Sequence, residues 1–386
     1  MAFGTGGEKE IMKKLRLSLL VLFSVLLLSF LLGGCGEGGG TPSSHIPEWT
    51  IMVFMNDATL ASRELAGIDL YEMRQIGSTD DVKILVQRCS ETGVGMVRYL
   101  VEKENMKLLD TLSGASPTSS DALASFANWC FENYPAEKYL LILWSRDESS
   151  SWSSLVSYIN LVRAFSSFSE NVDLLVLDSP VKAELELLDE IKNSVSITVA
   201  LQGIIPDDGF NYEDVFRKIA ASPHHTALEI SGNFVDDFKK LYGKRNDVAI
   251  SVIDMAKVAN VVGYLNDLGN DLLAFSDISA LWGVVLQTQS YFIAPGEEAS
   301  FRDLYDFCDR LEDLDLSDSA KETVDNLKKA MEDMVKNEWH VSDGIVSGSH
   351  GISLYIYSLG DRKETYGGFT IATDASDWYE FIKTKF

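Results

Sequence analysis

Arg146, Asp147 and Glu148 follow, after Ser145, on the apolar run "KYLLILW" (138–144), and "DSP" (178–180) follows directly on a second, "VDLLVL" (172–177). Polar loops that leave the ends of buried strands are where α/β proteins place their chemistry. The groups on offer here are a permanent cation, carboxylates and hydroxyls. Arginine has no free ring-nitrogen lone pair and stays protonated, so Arg146 cannot accept a proton from a nucleophile. Ser179 is inert without a base beside it. The placement before Pro180 suits a helix N-cap, with proline at the first helical position. The five histidines stand elsewhere in the chain: His45, His224 and His225, His340, and His350.

The elements that must carry these loops alternate. "WTIMVFM" (49–55) reads as a strand, and Leu60–Gln75 repeats its apolar residues at helical spacing up to the stop at Gly77. "VKILVQ" (82–87) and "MVRYLV" (96–101) read as a hairpin-like pair. Next come helix Ser119–Asn133, strand Tyr139–Trp144, helix Ser154–Ser167, strand Val172–Leu177, helix Val181–Asn193 and strand Ser196–Leu201. Near-continuous apolar strands separated by helices predict a three-layer α/β/α sandwich with a mostly parallel sheet, whose sites gather at the carboxyl ends of its strands. The loops after Trp144 and Leu177 then lie side by side. From about residue 212 the pattern is mainly helical: Tyr212–Ala221, Ala227–Leu241, then 255–276, 279–291, 300–313 and 317–337. A strand at 248–254, another at "GISLYIY" (351–357) and a last helix near Ser376–Lys385 complete it. Asp313, Asp315 and Asp318 lack the glycine turn and closing glutamate of a calcium loop and read as a solvated face, so no metal or cofactor is expected.

The 386 residues carry 33 basic and 58 acidic side chains, a formal charge of −25, which excludes the basic footprint that nucleic acid requires. Lys13, Lys14 and Arg16 precede the apolar run Leu17–Leu32 and the small-residue close "LGGC". That order reads as a secretory signal, and the run is shorter than the roughly 20 residues of a membrane-spanning helix. Three further cysteines, Cys89, Cys130 and Cys308, permit one disulfide and one free thiol in an oxidising compartment, with the pairing left open. Cys130, in the helical pattern "ALASFANWCFENY", reads as a small buried hydrophobe.

Two resemblances add to this. "LLGGC" resembles a bacterial lipobox, which implies a signal peptide over 1–34, a lipidated Cys35, a tether over 35–48 and attachment to the extracytoplasmic face of a bacterial membrane; Met12 then reads as the start. "WTIMVFMNDATL", "LYEMRQIGSTDDVKILVQ", "FANWCFENYPAEKYLLILW", "VDLLVLDSPVKAELEL", "PDDGFNYEDVF" and "GSHGISLYIY" together resemble the clostripain-like cysteine peptidases, in that family's order. The resemblance covers 49–386 and implies a caspase- and gingipain-like fold, with a sheet core over 49–210 and a mostly helical part over 211–386. It implies a histidine where this chain has Arg146, and a nucleophilic cysteine where it has Pro180. It also implies that Asp178 and Asp208 line a pocket for an Arg or Lys side chain. Two readings follow: the pocket receives a basic peptide or protein ligand, or Arg146 itself closes it by pairing with Asp178 or Asp208. The expected function is that of a non-catalytic, binding member of the family. The alternative is a hydrolase using Ser179 with a distant histidine.

Overall fold

A computed structural model describes residues 45–57, 59–89, 95–114, 119–146, 155–180, 183–291, 301–356 and 366–386. The expectations for the signal segment, Cys35 and Met12 lie outside the described residues, as do Asp147, Glu148 and Trp152. Ile46–Phe386 forms one compact unit.

Strand β1 (Trp49–Asn56) is buried along its whole length, as its largely apolar sequence requires of a central strand. It pairs in parallel with β2 (Val82–Cys89) on one side and β5 (Lys138–Ser145) on the other. β6 (Val172–Asp178) and β7 (Val195–Gly203) continue the parallel series. Both edges then reverse. β3 (Met96–Glu102) and β4 (Asn105–Leu112) add antiparallel strands beyond β2. β8 (Val248–Asp254) and β11 (Val335–His340) do so beyond β7. The nine-stranded order is β11-β8-β7-β6-β5-β1-β2-β3-β4. A small antiparallel sheet joins β9 (Ser290–Tyr291), β10 (Phe301–Asp303) and β12 (Ser353–Tyr355) in the order β12-β10-β9.

The period-two alternation of β5 divides the core. Leu141 and Leu143 enter one apolar layer with helices Ser120–Asn133, Leu155–Ser166, Leu185–Ile191, Val258–Leu273, Asp318–Met334 and Ser376–Lys385. Leu140, Ile142 and Trp144 enter the other with Leu60–Ile76, Tyr212–Ala221 and Ala227–Tyr242. These are the three layers that the apolar pattern predicts.

Three expectations need correcting. The helix expected from Val181 starts at Leu185, with Glu184 at its N-cap position and no side-chain capping bond there, so Ser179 is not a cap. The segment before it is spent on β12 instead: Ser353 N–H donates to the Ala183 carbonyl, and Glu184 forms an isolated bridge with Ser353. Cys89, Cys130 and Cys308 are all free and buried, so no disulfide forms among them. The helix expected over 317–337 stops at Met334, and Val335–His340 leaves it as β11, paired with β8.

Candidate functional site

Adjacent parallel strands bring the two polar loops together, with Trp144 of β5 directly beside Asp178 of β6. Arg146, one residue past β5, turns inward, its side chain only 2% exposed. Nη2 lies 2.7 Å from Asp178 Oδ2, and 3.5 Å from Asp69 Oδ2 of helix Leu60–Ile76. Nη1 donates to the main-chain carbonyl of Asp178 at 2.9 Å, and Nε donates to that of Asp207 at 2.9 Å. The guanidinium lies 4.7 Å from the centre of the Trp144 ring, a cation–π distance. Tyr212 donates its hydroxyl to Asp178 Oδ2 at 2.6 Å, and the Trp144 indole N–H donates to Asp69 Oδ2.

This is a closed acidic site filled by the chain's own cation. Burial acts to lower the Arg146 pKa, but Asp178 and then Asp69 outweigh it and hold the group above the ordinary arginine range. Burial pushes Asp69 up to about 8, against the pull of Arg146, while neighbouring Asp178 adds to the rise. Burial likewise holds the Tyr212 hydroxyl far above its usual value, as its role of donor requires. Backbone geometry completes the enclosure. Gly209 has φ +56°, and a Cβ there would stand 1.8 Å from Arg146 Nη2, so only glycine lets the guanidinium lie against this loop.

The structure thus brings Arg146 and Asp178 together, and it leaves Asp208 apart. Asp208 is exposed, and the loop serves Arg146 through the carbonyl of Asp207. Pro180 is buried. Ser179 is buried with its hydroxyl lacking a hydrogen-bond partner among the described residues, as does the second oxygen of Asp178. Among the described residues no histidine ring is hydrogen-bonded to the Ser179 hydroxyl. His224 pairs with Glu48, His340 with Glu338, and His350 with Asp303 while stacking on Tyr305. Among the described residues no group of His, Cys, Asp and Glu is placed to hold a metal ion.

Asp69, Trp144, Tyr212 and Gly209 are parts of the site that sequence reasoning missed. One signal was present. Asp69 falls on the face of its helix that carries Ala66, Leu70 and Met73, and a carboxylate on a buried stripe requires a partner.

Helices on both faces of a sheet with a parallel centre, and an acidic pocket where strands β5 and β6 end, define an α/β/α protein of the caspase-like class. The Clostripain family profile matches residues 53–384, and this chain belongs to that family. Clostripain of Hathewaya histolytica is 22% identical, over 78% of this chain and 69% of its own length. A secreted C11 cysteine protease of Bacteroides thetaiotaomicron, solved with an irreversible peptide inhibitor, is similar in fold with a TM-score of 0.66 at 16% identity, covering 87% of this chain and 99% of that one. An inactive zymogen C11 protease of Parabacteroides distasonis gives 0.67 at 18% identity with the same coverage.

Proposed function

We propose that this chain is a non-catalytic member of the clostripain family, a lipoprotein held by lipid on Cys35 at the extracytoplasmic face of a bacterial membrane, which binds a basic peptide or protein without cutting it. The observation that carries this reading is the buried Arg146 guanidinium between Asp178 and Asp69. A cysteine peptidase needs a thiolate and an imidazole to manage its proton. The family resemblance assigns those roles to the positions of Pro180 and Arg146. One has no nucleophilic atom, and the other no lone pair to accept a proton. The acid that would receive a substrate's basic side chain is occupied internally, and the exposed Asp208 remains for an external cation. Among the described residues no helix is long and apolar enough to cross a membrane.

The test is to incubate the purified full chain, in mild detergent, with fluorogenic peptides bearing Arg or Lys, and to follow its intact mass. No release above the blank and no covalent adduct are expected. Turnover that disappears in Ser179→Ala or His350→Ala would establish the alternative hydrolase. One observation bears on that alternative: Gly351 N–H donates to Gln202 Oε1 near the end of β7, the strand beside β6. The His350 ring, however, is turned to Asp303 and Tyr305. Incorporation of a labelled fatty acid, lost in Cys35→Ser, tests the anchor.

A further inference from the structure

Two large aliphatic side chains stand exposed beside the filled pocket. Ile204, just past β7, is 51% exposed, and Ile345, in the turn after β11, is 67% exposed. They are close because both are tied to the same short segment. Ile204 N–H donates to the Asp247 carbonyl at 3.0 Å, and Ile345 N–H donates to the Asn246 carbonyl at 2.6 Å. Neither sits on loose chain. The Ile204 loop is locked a few residues on, where Arg146 holds the Asp207 carbonyl and the Tyr242 hydroxyl donates to the Gly209 carbonyl at 2.6 Å. Exposed acids stand close by in the chain: Asp207 and Asp208 follow Ile204, and Asp343 precedes Ile345. Next to Asn246 in the chain, Arg245 pairs with Asp247 at 2.7 Å and is also within the field of Asp207, while Lys244 is exposed.

A rigid apolar pair rimmed by net negative charge is complementary to a chain segment that carries cations around an aliphatic or aromatic side chain. We infer that this rim, and not the filled pocket, is the docking surface for a cationic, apolar peptide segment of a partner protein. The inference rests on the non-catalytic binding function proposed above and names where the partner sits. The apolar side chain covers Ile204 and Ile345, and flanking Lys or Arg residues meet Asp207, Asp208 and Asp343. Because the platform is pre-ordered, little is lost in fixing it on binding. Arg146 contributes by holding the Asp207 loop in place.

Three fluorescent peptides of equal length test this on the full chain in mild detergent: alternating Leu and Lys, alternating Ser and Lys, and alternating Leu and Ser. Anisotropy titrations are expected to show saturable binding of the Leu–Lys peptide alone, weakening as salt screens the rim. Ile204→Ser with Ile345→Ser should weaken it by about tenfold or more, the loss typical of anchor residues, and so should Asp208→Asn with Asp343→Asn. All four side chains are exposed, so unchanged thermal unfolding will show that the variants are folded. No binding, equal binding of the Ser–Lys peptide, or affinity indifferent to the isoleucine pair would overturn the inference. So would binding that survives these changes but responds to Asp178→Asn, because the seat would then be the pocket. Cleavage of the peptide, read from its mass in the same samples, would instead count against the non-catalytic function and leave the location of the seat to the variants.

Discussion

Arg146 is held by oxygen on several sides, and its value to the fold is that of a partner for buried charge. Removing one member of a buried pair leaves the other desolvated and unpaired, which costs about 3–5 kcal/mol. Arg146→Met is expected to lose stability of that order in urea unfolding. Asp178→Asn in the same chain should recover a good part of the loss, since the stranded carboxylate is then neutral. A double variant no more stable than the single one would show that charge pairing is not what Arg146 supplies. Asp69 gives a signature in pH. With its pKa pushed up to about 8 by burial, the folded chain retains a proton that the unfolded chain releases near 4. Its contribution to stability is therefore complete below about pH 4 and is lost as pH rises through about 8. Asp69→Asn, titrated by chemical unfolding across that window, should be flatter than the parent. An identical slope would mean that Asp69 is ionised throughout.

Helix Leu185–Ile191 is joined to the small sheet by a carboxyl group. Glu186 Oε1 accepts from the Tyr355 main-chain N–H at 2.9 Å and from the Tyr366 hydroxyl at 3.0 Å, while Oε2 is buried with no partner among the described residues. Burial pushes this group up to about 7, so it too stabilises the fold when protonated, and that support fades as pH rises through 7. Glu186→Gln keeps an acceptor for both donors and removes the titration. It is expected to match the parent at pH 5 and to exceed it by about 1 kcal/mol or more at pH 8, read by thermal or denaturant unfolding. A variant less stable than the parent at both values would show that the carboxylate form is the one the fold uses. Legibility differs among the elements for physical reasons. β1, β5 and β6 are buried on both faces and therefore apolar through most of their length, which makes them plain in sequence. β4 is largely exposed, and "NMKLLDTL" shows no clean alternation, so it was missed. "VKNEWH" follows helix Asp318–Met334 without a glycine or proline to stop it, and only pairing with β8 makes it a strand.

For the whole molecule, a body that buries Cys89, Cys130 and Cys308 keeps three thiols without a disulfide among them. Burial pushes Cys89 up to about 11 and holds Cys130 and Cys308 well above the usual thiol range, so little of the reactive thiolate exists at neutral pH. Alkylation of the native chain followed by peptide mass mapping should leave all three unmodified, and the same reagent in denaturant should modify all three. Rapid modification of any of them in the native chain would show that its burial is transient.

The layered architecture, the parallel centre of the sheet and the adjacency of the loops after Trp144 and Leu177 were all set by local patterning. An apolar run buried on both faces and an amphipathic helix each declare themselves within a few residues. The chemical character of the loops was equally local: a permanent cation at 146 and a proline at 180 have the same acid–base properties in any fold. Which acid Arg146 meets was decided only by tertiary structure. The sequence left both Asp178 and Asp208 open as partners, and the outcome turned on Gly209 admitting the guanidinium, on Asp207 offering a carbonyl instead of Asp208 its carboxylate, and on Asp69 arriving from a helix some 77 residues earlier in the chain than Arg146. A buried ion pair is a long-range contact whose energy depends on desolvation at one point in space, and no spacing along the chain encodes that.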